Sequence, residues 1–87
     1  MPSFLVETYI PMPLAVDASA AGRRARAAAL ELSRAGAPVR YVRTTLLPGD
    51  ETCFHLFVAD SEEAVAEACR LAGLGNPRIV PVVEEAG

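Results

Sequence analysis

The chain has 87 residues, 52% of them apolar, and a formal charge of −3 from eleven Asp and Glu against eight arginines and no lysine. This acidic balance (pI ≈ 5.0) excludes the basic footprint of a nucleic-acid or anionic-membrane surface, and no apolar run approaches the roughly 18 residues of a membrane span. So short a chain forms one domain over residues 1–87, and its mean hydropathy of +0.27 predicts that a partner covers part of its surface.

The opening "MPSFLVETYIPMP" carries no basic leader and is broken by Glu7 and prolines, so it reads as part of the fold and not as a signal peptide. Within it, "SFLVETYI" (3–10) alternates as a strand does and ends at Pro11 and Pro13. Asp17 or Ser19 is placed to cap a helix running to Arg34–Ala35, where Gly36 and then Pro38 close it. Its inner stripe is Ala18, Ala21, Ala25, Ala28 and Leu32, small enough to lie close against a sheet. Arg23, Arg24, Glu31 and Arg34 point to water, and the cluster Arg23, Arg24, Arg26 reads as a solvated face.

"VRYVRTTLL" (39–47) is a second strand, rich in β-branched and aromatic residues. "PGDE" is turn chemistry that joins it, as a hairpin, to a third strand, "ETCFHLFVA" (51–59). "DSEE" (60–63) is a capping-box pattern, Asp60 with Glu63 three residues on. It opens a helix through Leu71–Ala72 that buries Val65, Ala68, Cys69 and Ala72 and stops at Gly73. "RIVPVV" (78–83) is the last strand, and Pro81, which has no amide proton to donate, assigns it to a sheet edge.

The order βαββαβ, with short connections and right-handed crossovers, predicts an α+β ferredoxin-like domain. Its four-stranded antiparallel sheet has the order 4-1-3-2, with two helices on one face. Two helices cover one face only. With Thr44 paired to Phe54 across the hairpin, the helix side receives Phe4, Val6 and Ile10, Val42 and Leu46, and Phe54, Leu56 and Val58. The open side receives Leu5, Glu7 and Tyr9, Tyr41, Arg43 and Thr45, and Cys53, His55 and Phe57. So apolar an open face predicts a homodimer packed sheet to sheet around a partly polar cavity.

That face holds the only histidine of the chain. Neighbouring strands bring same-face side chains to about 5 Å, which would let Glu7 meet His55 with Cys53 beside them. A carboxylate, an imidazole and a thiolate suit nickel, zinc or copper better than magnesium or calcium. The same residues admit a plainer reading, in which His55 bonds Glu7 inside an interface and Cys53 is a small buried hydrophobe. A third reading is an enzyme of the dimeric α+β barrel class. There His55 would be general base, with Tyr9, Tyr41 and Arg43 as the ligand-pocket candidates. A fourth is a module whose open face only dimerises. Cys53 and Cys69, with no export signal, predict free thiols in a cytoplasmic protein, on opposite sides of the sheet.

"FLVETYIP", "DETCFHLFVADSEEAVAEACRLAGL" and "RIVPVV" resemble a family of small bacterial proteins, a domain of unknown function that includes a nickel-binding protein with a dimeric ferredoxin-like fold. The resemblance spans nearly the whole chain and implies a βαββαβ dimer and, for some members, nickel binding. The glutamate of the family's opening strand matches Glu7. The cysteine that many relatives carry on the third strand is matched or adjoined by His55, with Cys53 two positions away on the same face.

Overall fold

A computed structural model of the chain describes residues 1–10 and 15–85, with residues 15 and 16 as backbone only. The elements run β1 (Ser3–Tyr9), α1 (Ala15–Arg34), β2 (Val39–Leu47), β3 (Thr52–Ala59), α2 (Glu62–Ala72) and β4 (Arg78–Val82), with a single 3₁₀ turn, Pro48–Asp50, between β2 and β3. All paired strands are antiparallel, in the order β2-β3-β1-β4. This is the expected 4-1-3-2 sheet read from its other edge, and the fold is ferredoxin-like α+β. Pro81 lies on the edge strand β4, opposite Phe4.

Local chemistry sets the helix ends. The cap of α2 is Ser61, one residue past the expected Asp60. Its backbone is extended and its Oγ accepts the Ala64 amide proton at 3.2 Å, a reach Asp60 does not have from one position further out. Gly73 (φ 68°) ends α2, donating to Arg70, while Leu74 donates to the Cys69 carbonyl. In α1 the helix is already under way at Ala15, so Asp17 lies in its first turn, where a carboxylate suits the helix dipole, and Ser19 is interior. The N-terminal cap of α1, like Pro11 and Pro13, lies outside the described residues.

One layer of helices covers one face of the sheet. Ala18, Ala21, Ala25, Ala28 and Ala29 of α1 are buried, as are Val65, Ala68, Cys69 and Ala72 of α2. Against them the sheet presents Phe4, Val6, Val39, Phe57 and Ala59. Alanines bring the helices close but contribute little area, so the large side chains supply most of the burial energy, about 1.5–3 kcal/mol each.

The register corrects the expected faces. β1 and β3 pair Phe4 with Phe57, Val6 with His55 and Thr8 with Cys53. Residues directly opposite share a face, so Cys53, His55 and Phe57 lie on the helix side with Phe4 and Val6. Leu5 stands opposite Leu56, and Glu7 opposite Phe54, on the open side. Along the hairpin, Tyr41 pairs with Phe57, but a β-bulge at Val42 shifts the register by one residue. Thr44 therefore meets His55, and Phe54 meets Thr45 instead of Thr44.

Candidate functional site

The predicted trio of Glu7, His55 and Cys53 is not assembled. Glu7 is on the open face, 3.6 Å from Arg78 of β4, whereas His55 and Cys53 are fully buried on the other. Tyr9 is exposed at the end of β1, donating to Glu51. Arg43 pairs with Glu84 in an exposed contact at 3.0 Å. Of the pocket candidates only Tyr41 joins His55. Cys53 and Cys69 are both free and buried, as expected of thiols, but on the same side of the sheet. Among the described residues no three His, Cys, Asp or Glu side chains come together as a metal-ligating group.

What the structure does assemble is a buried polar line across β2 and β3. Cys53 Sγ stands 3.7 Å from His55 Nε2, His55 Nδ1 2.7 Å from Thr44 Oγ1, and Thr44 Oγ1 2.5 Å from Tyr41 Oη. The bulge makes this possible. Tyr41 and Thr44 are three apart and would face opposite ways on a regular strand, but the extra residue at Val42 turns both toward α1.

Burial raises the Cys53 pKa, and the Thr8 hydroxyl opposes this only in part, so Cys53 keeps its proton. Two proton orders satisfy the line: with Cys53 donating to Nε2, Nδ1–H donates to Thr44 and Thr44 to Tyr41; with Nε2–H donating to the sulfur, Tyr41 donates to Thr44 and Thr44 to Nδ1. The His55 ring is neutral. Burial, reinforced by the Arg24 guanidinium, lowers its pKa from 6.5 to about 4. Arg24 itself donates through Nε to the Ala72 carbonyl at 3.0 Å, tying α1 to the end of α2.

Gly22 allows α1 to settle on this line. A Cβ there would stand 2.8 Å from Tyr41 Oη and 3.0 Å from Thr44 Oγ1. Neither Thr44 nor Gly22 was among the residues expected at the site; the bulge hid Thr44, whereas Gly22 carried a signal. A glycine inside an alanine-rich helix costs about 1 kcal/mol against alanine, so it marks a close approach.

Cys53 and His55 set a thiol beside an imidazole, donors that suit a borderline transition metal. At a tetrahedral centre, sulfur at about 2.3 Å and nitrogen at about 2.0–2.1 Å stand roughly 3.5 Å apart. The observed 3.7 Å fits that span and also an S–H···N hydrogen bond. The second nitrogen of His55 is fixed by Thr44, the outer-sphere arrangement that orients a ligating imidazole. The pair fits as two donors; Glu7 does not join them. Compared with known protein families, with curated proteins and with solved structures, the chain matches none.

Proposed function

We propose that the chain is a homodimeric, cytoplasmic binding protein for a transition metal of the nickel, zinc or copper kind, with Cys53 and His55 as its own donors. The observation that carries this reading is the pair itself. Sγ and Nε2 face each other at 3.7 Å while Nδ1 is held by Thr44. The resemblance to a family with a nickel-binding member supports it from the sequence. A divalent ion would take the place of the Cys53 proton between sulfur and nitrogen, that proton leaving to solvent. Other coordination positions would fall to exogenous ligands. Both side chains are fully buried, so uptake requires a local opening between α1 and the sheet.

Proton competition falls on the thiol. His55 stays neutral down to about pH 4, whereas Cys53, raised by burial, must lose a proton to bind. Affinity should therefore rise about tenfold per pH unit through neutrality, one proton being released. The same low pKa makes His55 a poor general base near pH 7, and both its nitrogens are engaged, so the reading keeps to binding.

The homodimer rests on the open face. Val80, Leu5 and Leu56 form one row across it and Val82, Ser3 and Val58 the next, with Phe54 beside them. Charged groups stand around them: Arg40, Arg43, Glu7 and Arg78. Two such faces packed together remove these side chains from water.

Tag-free protein, purified without chelator, should bind cobalt with a thiolate-to-metal absorption band, and nickel or zinc should displace the cobalt. Cys53→Ser and His55→Gln should each lose the band, while Glu7→Gln keeps it. Unchanged affinity in either of the first two variants overturns the assignment. Light scattering should give about twice the 9.2 kDa chain mass, and a folded monomer at micromolar concentration overturns the dimer.

A further inference from the structure

The arginines that read as a solvated face border a cleft. It lies between α1 and β2, holds about 710 Å³, and is lined by Arg23 and Arg26 of α1 and by the Tyr41–Thr44 stretch and Leu46 of β2, with no Asp or Glu among its lining residues. That volume lies within the range of small-molecule sites. In a chain of net charge −3, two of the eight arginines, Arg23 and Arg26, meet at this one place.

Arg23 and Arg26 are one helical turn apart on α1, and neither is ion-paired to a carboxylate among the described residues. Like charges at this spacing repel. Arg26 is set over the ring of Tyr41, its Cζ 5.8 Å from the centroid. Arg43 borders the cleft by its place on β2, but its guanidinium is on the open face with Glu84 and adds no charge here. The floor is polar as well, since Tyr41 and Thr44, whose hydroxyls bond each other, both line it. Val42 and Leu46 supply apolar wall.

We propose that this cleft binds a small organic anion, a carboxylate or a phosphate ester attached to an apolar body. Arg23 and Arg26 hold the charge, and Tyr41 and Leu46 contact the body. The two arginines lose their mutual repulsion when an anion sits between them, and a guanidinium offers paired donors that match either headgroup. The site shares Tyr41 and Thr44 with the buried line but uses neither Cys53 nor His55, and it does not depend on a metal there.

The test is an amide-resonance titration of the full chain with benzoate, phenyl phosphate, inorganic phosphate and the neutral benzamide. Benzoate or phenyl phosphate should shift the Gly22, Tyr41 and Thr44 amides saturably, and the tighter of the two names the headgroup. Benzamide and inorganic phosphate should bind more weakly, and added salt should weaken the anions. The double variant Arg23→Gln/Arg26→Gln should lose at least about tenfold in affinity, the size of a charge-assisted hydrogen bond. Both side chains are exposed on a helix surface, so that variant keeps its fold, which circular dichroism checks. The proposal is overturned if neither organic anion saturates below about 10 mM, if benzamide or inorganic phosphate binds as tightly, or if the double variant binds like the wild type.

Discussion

The two faces of this sheet are made from nearly the same residue types, and they do different things. On the helix side Phe4, Val6, Phe57 and His55 are sealed under α1 and α2. On the open side Leu5, Leu56 and Phe54 are covered only by neighbours in their own layer, among Glu7, Arg43, Arg78 and Glu84. The polar groups sort in the same way. The sealed face holds a neutral histidine with both nitrogens engaged, and the open face holds charges paired at its edge. An imidazole can be enclosed because it becomes neutral at moderate cost; Glu7, kept within reach of Arg78, stays in water.

The sharpest way to break this contrast is at Phe57. Its side chain has no exposure and meets Tyr41 edge-on, with ring centroids 5.8 Å apart. Phe57→Ala should cost about 3–5 kcal/mol in urea unfolding, the usual range for an emptied aromatic site in a core. The loss should not depend on protein concentration. A concentration-dependent loss would return Phe57 to an interface between subunits.

Next in size is the pH dependence contributed by His55. The unfolded imidazole titrates near 6.5 and the folded one at about 4, so between these values the unfolded chain holds the extra proton. Its stabilisation is fully present above about pH 6.5 and declines as pH falls through the window, at up to about 1.4 kcal/mol per unit, roughly 3 kcal/mol by pH 4. Arg24 and Cys53 are the charged and titratable groups beside it. Unfolding free energies at pH 6.5 and 5.0 should differ in the wild type and much less in His55→Gln. Equal slopes in the two would place His55 in contact with solvent.

Why the element order was legible and the faces were not can be traced to particular residues. Alanine periodicity, Gly36, Gly73 and Pro81 each mark a boundary or an edge by steric or hydrogen-bonding need, and the βαββαβ order then leaves few topologies. β3 gives no such guidance. Phe54, Leu56 and Val58 are the more apolar set, so alternation puts them inside, whereas the enclosed set is Cys53, His55 and Phe57, with the imidazole hydrogen-bonded on both nitrogens. One β-bulge then decided the partner of His55. Before Val42 the hairpin runs in the register that pairs Tyr41 with Phe57. After it, Thr44 takes the place beside His55 that Arg43 would have had. A one-residue slip exchanges a whole face, and here it replaced a guanidinium by a hydroxyl next to the imidazole.

The smallest expected effect falls on the neighbour of Phe57. Leu56 is almost as buried, 5% exposed against none, yet it points the other way and no helix lies over it. Within one subunit, Leu56→Ala removes contacts only with side chains of the same layer, such as Leu5 and Arg43, and opens no enclosed cavity. The cost should be about 1 kcal/mol or less, below the range for sealed positions. In a dimer the same change subtracts from the association energy, so the loss should grow as the protein is concentrated. Leu56→Asp carries this further, because a lone carboxylate between two packed sheets is an uncompensated buried charge, whereas on a free face it is hydrated. That variant should remain folded by circular dichroism and sediment as a monomer, while Phe57→Asp should not fold. If Leu56→Asp unfolds as Phe57→Asp does, the two faces are equally part of the subunit core, and the open side needs no partner.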